Sequence, residues 1–148
     1  MTLSVRLTTT MTEDEMRPLW NNIRRCLQKF VDRFPHEDSV ENILKDCMSG
    51  ARTLWVIQDE TGKVVLAPVT EIVRVNATGE LKMIFCIVSG DDIVEAMPCV
   101  QDMIQWGVEQ GCTMFQAIGR PGWKPLVAPY GLKAIGMVYQ LRIPNHGR

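Results

Sequence analysis

The sequence predicts an α+β fold, or an α/β fold with a mixed sheet, in a single domain over residues 1–148. Two observations carry this prediction. Between residues 53 and 88, three strand-like runs are joined by short turns, which is typical of an antiparallel meander. Over residues 81–118, a strand, a helix and another strand follow one another, which indicates a parallel pair joined by a right-handed crossover.

The first elements are a short strand and a long helix. Residues 3–7 alternate apolar and polar, as in a half-buried strand. Thr12 and Glu15 have the spacing of a capping box, but Pro18 would then fall in the second turn and remove a backbone hydrogen bond. The helix is therefore expected to begin either after Thr12 or near Pro18. Its apolar residues recur at three- and four-residue steps, and they are Leu19, Trp20, Ile23, Leu27, Phe30, Val31 and Phe34.

The middle of the chain predicts a short helix and three strands. Ser39 is placed to cap the helix and Gly50 to end it. The strands are expected over residues 53–58, 63–75 and 81–88. The last of these is a nearly continuous apolar run, as in a central buried strand. Pro68 lies inside the second strand, where a proline requires either an edge position or a bulge.

The last third of the chain predicts a helix, a strand, a turn region and a final strand. Pro98 marks the start of the helix and Gly111 its end. Residues 113–118 and 132–143 are expected to be strands, with a short helix or turn over residues 123–130 between them. The complete predicted order is β-α-α-β-β-β-α-β-α-β.

The composition fits a soluble globular protein and excludes several other classes. Apolar residues make up 46% of the chain and charged residues 22%. No apolar run reaches the roughly 18 to 20 residues of a membrane span, and the N-terminus is expected to be a strand rather than a signal peptide. With a formal net charge of −1, the chain does not have the basic balance of a nucleic-acid-binding protein. One basic cluster on the long helix is expected to be a solvated face or a surface for an acidic partner, and its members are Arg24, Arg25, Lys29 and Arg33.

The five cysteines are expected to be buried and unpaired, in a reducing compartment. Their number is odd, their spacings are wide, and no Cys-x-x-Cys motif occurs. The two histidines, His36 and His146, lie in polar loop-like stretches, so the sequence predicts no metal site. A nucleophilic cysteine–histidine pair stays open as an alternative.

Two motifs near the C-terminus resemble a known family. The sequence Gly-Arg-Pro-Gly-Trp at residues 119–123 follows a predicted strand, and Tyr-Gly-Leu at residues 130–132 follows the turn region. Together with the element order, which covers almost the whole chain, these motifs resemble the Gcn5-related N-acetyltransferase (GNAT) fold. The resemblance implies a GNAT-like mixed central sheet, in which strands four and five, residues 81–88 and 113–118, run parallel and splay apart to admit acyl-coenzyme A.

The resemblance also implies roles for individual residues if the protein is active. Tyr130 would protonate the departing thiolate, and Glu71, in the middle of a strand, would act as a base directly or through a water. Simple alternation along a one-sided strand is the other explanation of Glu71. The coenzyme would be held by strand four and the loop after it, namely by Ile87, Val88, Ser89 and Gly90.

The loop after strand four departs from the family's phosphate-binding pattern. That pattern is Gln/Arg-x-x-Gly-x-Gly/Ala, whereas residues 88–93 read Val-Ser-Gly-Asp-Asp-Ile, with one glycine and no leading arginine or glutamine. Asp91 and Asp92 add negative charge where an anion should bind, and one like-charge contact at about 4 Å costs about 4 kcal/mol at an effective dielectric near 20. The other explanation of both carboxylates is that they complement the dipole of the next helix.

These departures favour a GNAT-like protein without acyl-transfer activity and without a cofactor. The motifs at residues 119–123 and 130–132 resemble those of GNAT-like proteins encoded by bacteriophages, several of which lack the coenzyme loop. The expected role is then that of a structural protein in virion assembly, in the cytoplasm of a bacterial host or in the virion, with protein partners or as a homo-oligomer. Arg120 and Trp123 are the candidate partner-binding residues, because arginine and tryptophan are over-represented at interface hot spots. A local turn contact for Arg120 and core packing for Trp123 are the alternatives.

Two other functions stay open. The main alternative is an acyl-CoA-dependent N-acyltransferase with a divergent phosphate loop, which would use acetyl-CoA. The second is a module that binds a small ligand or peptide in the cleft between the splayed strands. For all three functions the sequence predicts neither a nucleic-acid nor a membrane partner.

Overall fold

The computed structural model of the chain describes residues 2–144. Its strands are β1 Ser4–Leu7, β2 Thr53–Gln58, β3 Val64–Leu66, β4 Val69–Arg74, β5 Leu81–Ile87 and β6 Cys112–Ala117. They form one six-stranded sheet in the order β1-β2-β4-β5-β6, with β3 paired to β2 beside this path. Neighbouring strands are antiparallel except β5 and β6, which run parallel. The sheet is therefore mixed, as predicted.

Helices cover both faces of this sheet. They are α1 Glu13–Met16, α2 Trp20–Arg33, α3 Val40–Ser49, α4 Ile93–Ala96, α5 Cys99–Glu109 and α6 Lys124–Val127. Ile23 of α2 and Ile43 of α3 are fully buried against one face. Met103 of α5 packs against Phe85 of β5 on the other face. Two apolar layers on either side of a mixed sheet confirm the predicted α+β class.

The long N-terminal helix is interrupted where the sequence left two starting points open. Thr12 accepts from the backbone N–H of Glu15 at 3.2 Å, and Glu15 accepts from the N–H of Thr12 at 3.0 Å, which completes a capping box for α1. Pro18 then lies in a 3₁₀ turn over Arg17–Leu19, and α2 begins at Trp20. The helix is interrupted there because proline has no N–H to donate to the preceding turn. The start expected after Thr12 is therefore that of α1, and the start expected near Pro18 is that of α2.

Pro68 divides the predicted strand over residues 63–75 into two strands. It lies between the end of β3 and the start of β4, and its carbonyl accepts from the N–H of Trp55 at 2.9 Å. The break leaves β3 beside the loop that follows β5, and an isolated antiparallel bridge joins Leu66 to Gly90. This contact uses backbone groups of the loop after β5, so that they are not free to bind a ligand.

An ion-pair network fastens α3 to the start of β2. Arg52 donates from Nη2 to Asp38 at 2.8 Å and from Nε to Asp46 at 2.9 Å. Burial alone would raise the pKa of Asp38, but hydrogen bonds from Arg52 and from the N–H of Ser39 outweigh it and hold that pKa below its ordinary value. The network therefore favours the charged form of Asp38 in the folded protein.

The predicted final strand over residues 132–143 does not form in this structure. The chain from Leu132 to Pro144 has no regular secondary structure, and β6 pairs with β5 alone among the described strands. Apolar alternation indicates a preference for strands, but a strand exists only where a second strand accepts its hydrogen bonds. Within residues 2–144 this stretch has no such neighbour.

Candidate active site

The sheet opens between β5 and β6. The pairing of these strands ends with Phe85 opposite Ala117, and the last bond across the pair runs from the N–H of Ile118 to the carbonyl of Phe85 at 3.3 Å. Beyond this point β5 continues beside β4 alone, while the chain after β6 enters an exposed turn. The parallel strands therefore splay apart in the direction of their C-terminal ends.

A β-bulge in β5 explains this opening. Ile87 pairs with Val69 and Phe85 pairs with Thr70, so that Cys86 has no partner of its own in β4. An extra residue of this kind bends its strand and increases the local twist. β5 therefore bends at the residue where its pairing with β6 stops.

An apolar cleft lies in the opening, on the α5 face of the sheet. Its walls are the side chains of Phe85, Val88, Ile93, Met97, Val100, Ala117, Trp123, Leu126, Val127, Tyr130 and Leu132. The enclosed part measures about 40 Å³, several times the roughly 10–15 Å³ that one water needs. The cleft therefore has room for a small apolar group.

Turns after β6 form the outer wall of the cleft. Trp123 packs against Gly119, where a Cβ atom would lie 2.4 Å from the indole Cε3, so this position requires a glycine. The indole is half-buried and lines the cleft, whereas Arg120 is exposed. Partner binding by Arg120 and Trp123 stays a prediction, and the position of Trp123 also gives it a packing role.

Tyr130 lies at the end of the same wall. It is the last residue of a 3₁₀ turn, and Gly131 follows in the left-handed region with φ +86°, which ends the turn. The half-buried ring lines the cleft together with Phe85 and Val88. Its hydroxyl is a group that is able to donate a proton.

Glu71 lies on the opposite face of the sheet. It pairs with Ile84 across β4 and β5, and its Oε2 accepts from Sγ of Cys86 at 3.8 Å. Phe85, whose side chain lines the cleft, points to the other face because successive side chains of a strand alternate. The structure therefore places Tyr130 and Glu71 on opposite sides of the opening and does not bring them into contact.

Burial keeps the cysteines in the thiol form. Burial, followed by the nearby Glu71 carboxylate, raises the pKa of Cys86 to about 11. Burial likewise raises the pKa of the other four, which are Cys26, Cys47, Cys99 and Cys112. A thiol with a raised pKa is a poor nucleophile near neutral pH. The open alternative of a cysteine nucleophile therefore gains no support.

The loop after β5, residues 89–92, is bonded to β3. The N–H of Asp91 donates to the carbonyl of Val65 at 2.7 Å. Gly90 has φ +137°, and a Cβ there would lie 2.2 Å from the same carbonyl oxygen, so the glycine permits the close approach of β3. A phosphate-binding loop needs free backbone donors, and here the Asp91 donor is already used.

Two basic residues of α2 bind the carboxylate of Asp91. Lys29 donates to one of its oxygens, and Arg25 donates from Nη1 to the other at 3.0 Å. The hydrogen bond from Lys29, together with that from Arg25, holds the pKa of Asp91 below its ordinary value. The expectation that both loop carboxylates would repel an anion is therefore wrong for Asp91, because two cations compensate its charge. Its neighbour Asp92 is exposed, with φ +55°.

The four predicted coenzyme-binding residues lie in different surroundings. Val88 lines the cleft, whereas Ile87 is buried in the core on the α2 side. Ser89 donates from its hydroxyl to the carbonyl of Cys26 at 2.7 Å, and Gly90 faces β3. Val88 is thus directly accessible to a ligand in the cleft, and coenzyme binding by the four stays a prediction.

Sequence reasoning did not connect Arg25 and Lys29 with the loop after β5. The two residues and Asp91 lie 66 and 62 positions apart in the chain, so no local spacing marks their contact. The available signal was the four-residue spacing, which places both cations on one face of the helix. Two cations one turn apart are able to bind the two oxygens of a single carboxylate.

No protein-family model and no curated protein sequence matches this chain. Solved structures do match it over nearly their whole length. An acetyltransferase from Trypanosoma brucei is 14% identical, with a TM-score of 0.69 over 96% of this chain and 100% of that one. A GNAT family acetyltransferase from Staphylococcus aureus is 11% identical, with a TM-score of 0.61 over 95% and 100%. A predicted acetyltransferase from Clostridium acetobutylicum, solved with acetyl-CoA, is 10% identical, with a TM-score of 0.62 over 95% and 96%.

The chain has a GNAT-like fold. This agrees with the resemblance indicated by residues 119–123 and 130–132, and the splayed parallel strands of that fold are β5 and β6. The expectation that the protein uses no cofactor is contradicted, because the three structures described above are acetyltransferases and one of them was solved with acetyl-CoA. The comparisons give no support to the expected bacteriophage origin or virion-assembly role. Between residues 2 and 144, no helix is both long and apolar enough to cross a bilayer.

Proposed function

We propose that the protein is an acyl-CoA-dependent N-acyltransferase, which transfers an acetyl group from acetyl-CoA to an amine. The observation that carries this proposal is the opening between β5 and β6, which has an apolar cleft and Tyr130 on one face and Glu71 on the other. A donor and an acceptor that meet in this opening would each have a group for proton transfer close by. The GNAT-like fold supports the same activity.

The cleft fits the acyl end of the donor. Its walls are apolar, and Phe85, Val88 and Trp123 enclose the space next to the end of β6. Apolar walls exclude water, which would otherwise compete with the amine for the acyl group. The enclosed volume of about 40 Å³ accommodates a small acyl group without a change in the fold.

The phosphate end of the donor does not find a glycine-rich loop in this chain, so positive side chains must replace the backbone donors. Arg25 and Lys29 stand beside the loop with side chains 37% and 47% exposed, which makes them accessible from solvent. A phosphate offers more charge and more acceptor oxygens than a carboxylate. The two cations would therefore exchange Asp91 for a phosphate of the donor, and Asp91 acts as an internal competitor of that phosphate.

Two proton transfers complete the reaction, for which acetyl-CoA supplies an activated acetyl thioester. Glu71 accepts, at a carboxylate oxygen, the proton that the attacking amine nitrogen loses, directly or through a water. Tyr130 donates its hydroxyl proton to the leaving sulfur. The net result is the movement of one proton from the amine to the thiol, and both residues regain their starting forms by exchange with solvent.

A screen of primary amines tests this function. Release of the free thiol from acetyl-CoA is followed for the wild type, for which we expect amine-dependent release. Tyr130→Phe and Glu71→Gln each remove one proton-transfer group and are expected to lower kcat by about 10²- to 10⁴-fold. Glu41→Gln is the matched control for Glu71, because Glu41 is exposed on α3 and should leave the rate unchanged.

Two results would count against the proposal in different ways. Full activity in both variants would contradict the roles of Tyr130 and Glu71 while the reaction itself stood. No amine-dependent release from any member of the screen, in a protein that also fails to bind acetyl-CoA, would contradict the function.

One observation favours a binding role without catalysis. The loop of residues 89–92 is bonded to β3 and to α2, which leaves fewer donors for a coenzyme phosphate. A small apolar ligand or the side chain of a peptide would still fit the cleft. Saturable binding of such a molecule by a protein that does not bind acetyl-CoA would favour this second function.

A further inference from the structure

A second apolar cavity lies beside the cleft. It measures about 30 Å³, and the described residues that line it are all apolar. Five of them also line the cleft, and they are Phe85, Val88, Ile93, Met97 and Val100. Two cavities that share these walls are neighbours, and we call the second one the inner cavity.

The inner cavity lies deeper in the molecule than the cleft. The walls that it does not share with the cleft are at most 4% exposed, and they are Ile57, Leu66, Pro68, Ala96 and Met103. The cleft, in contrast, has the half-buried side chains of Trp123 and Tyr130 on its outer wall. The two cavities therefore follow one another from the opening between β5 and β6 into the core.

Side chains, rather than the sheet, separate the two cavities. Phe85 packs with Met103 on the α5 face of the sheet, so both cavities occupy the layer between the sheet and helices α4 and α5. Met97, at the junction of these helices, is half-buried and lines both cavities. Its unbranched side chain adapts easily to the shape of a neighbour. A ligand is therefore able to pass from the cleft into the inner cavity by displacing side chains alone.

The walls of the inner cavity favour one kind of occupant. A buried water needs roughly two to four polar partners, and within residues 2–144 the side chains that line this cavity offer none. Atoms beside a void lack packing contacts, so a hydrocarbon group that fills the void restores them. A carboxylate in the same place would lose its hydration without gaining a partner. The inner cavity therefore fits a hydrocarbon chain and excludes a charged one.

We propose that the protein accepts acyl donors with an uncharged hydrocarbon chain longer than acetyl, such as propionyl- and butyryl-CoA. This inference rests on the proposed acyltransferase function and names the class of its donor. The cleft holds the carbonyl end of the acyl group, and the inner cavity holds the end of the chain. The reaction is otherwise unchanged: the bond from sulfur to the acyl carbon breaks, the amine nitrogen bonds to that carbon, and the proton of the amine ends on the thiol.

Calorimetric titration with acetyl-, propionyl-, butyryl- and succinyl-CoA tests the donor class. We expect the Kd of the wild type to fall by about two- to fourfold for each carbon added from acetyl to butyryl, because each added CH₂ leaves water for an apolar site. Succinyl-CoA has as many acyl carbons as butyryl-CoA but ends in a carboxylate, so it should bind about tenfold more weakly than butyryl-CoA. Amine-dependent thiol release should rank the four donors in the same order.

Ala96→Leu tests whether the inner cavity is the site of the longer chain. Ala96 lines the inner cavity and not the cleft, so a leucine there fills the space that the end of the chain would take. This variant should bind acetyl-CoA and butyryl-CoA equally. Val94→Leu is the matched control, because Val94 lies on the same helix with 59% exposure, and it should keep the preference for butyryl-CoA.

The inference and the function on which it rests would fail in different ways. A wild type that binds butyryl-CoA no more tightly than acetyl-CoA or succinyl-CoA would overturn the inference and leave acetyl transfer in place. This comparison needs no variant, so it decides the question even if Ala96→Leu does not fold. A preference for butyryl-CoA that survives in folded Ala96→Leu would also overturn the inference. Binding of none of the four donors would contradict the proposed function, and the inference with it.

Discussion

Asp91 is the residue whose surroundings differ most from those that its sequence neighbours indicate. Beside Asp92 and in front of a helix, it has the local pattern of a charge that repels anions. In the folded protein, Arg25 and Lys29 bind both of its oxygens. Arg25 and Lys29 therefore form an anion-binding site beside the loop, and its occupant is the carboxylate of Asp91.

Removal of that occupant should strengthen binding of the donor. We expect Asp91→Asn to lower the Kd for acetyl-CoA by up to about fivefold, because an exposed ion pair contributes up to about 1 kcal/mol and a tenfold change in Kd corresponds to about 1.4 kcal/mol. Arg25→Gln with Lys29→Gln should raise that Kd and make it less sensitive to salt. Calorimetric titration at two salt concentrations measures both effects.

Asp92→Asn is the control for this prediction. Asp92 is exposed, and asparagine tolerates its positive φ, so the substitution removes the same charge without freeing the two cations. An equal gain in affinity from Asp92→Asn and Asp91→Asn would show that general charge, not competition for Arg25 and Lys29, is responsible.

Individual site residues could be predicted only where they belong to a recognisable sequence motif. Tyr130 and Trp123 were found through their motifs, and both line the cleft. The pairing of Arg25 and Lys29 with Asp91 could not be predicted, because it joins two elements that are distant in the chain. The loop sequence predicted that its carboxylates would repel an anion. Only the folded structure shows that Arg25 and Lys29 compensate the charge of Asp91.

At the scale of elements, Arg52 links the two ends of α3 to the sheet. Its guanidinium binds Asp38, just before the helix, and Asp46, within its last turn. The side chains of Arg52 and Asp38 are 13% and 11% exposed, so their charges depend on each other more than exposed pairs do. Removal of the cation would leave a carboxylate that is largely shielded from water.

Arg52→Met should destabilise the protein in a pH-dependent way. At neutral pH we expect a loss of about 2–4 kcal/mol in the free energy of unfolding, somewhat below the cost of breaking a fully buried pair. The pKa of Asp38 is lowered in the folded state, so its stabilising effect is complete above the unfolded value of about 3.9 and is lost as the pH falls through the folded value.

Urea denaturation at neutral pH and below about pH 4 measures this difference. The gap between wild type and Arg52→Met should shrink in acid, whereas Arg24→Met, at an exposed position of α2, should change little at either pH. A gap of constant size would mean that Arg52 stabilises the protein by packing rather than by its charge.

Helices and strands formed as predicted wherever the apolar periodicity and the capping residues indicated the same element. The apolar face of α2, the Ser39 cap of α3 and the central strand β5 were all predictable, because they depend on residues close together in the chain. The break at Pro68 was anticipated only as an edge or a bulge. The strand expected over residues 132–143 did not form, because a strand needs a neighbouring strand to pair with and none of residues 2–144 lies beside it.

At the scale of the whole molecule, one irregularity organises the site. The bulge at Cys86 bends β5, the bend separates it from β6, and the separation creates the cleft. The apolar run over residues 81–88 gave no sign of it, since a bulge arises from the pairing of two strands. The GNAT-like fold was nevertheless predictable. That prediction rested on the element order and the two C-terminal motifs, and neither depends on the bulge.

The central claim is that this opening binds acetyl-CoA, and calorimetric titration of the wild-type protein with acetyl-CoA at moderate salt tests it most directly. We expect saturable binding with a dissociation constant in the micromolar range, weakened by added salt because the phosphates depend on Arg25 and Lys29. No heat of binding and no thermal shift at millimolar acetyl-CoA would contradict the claim and leave a GNAT-like fold that serves another purpose.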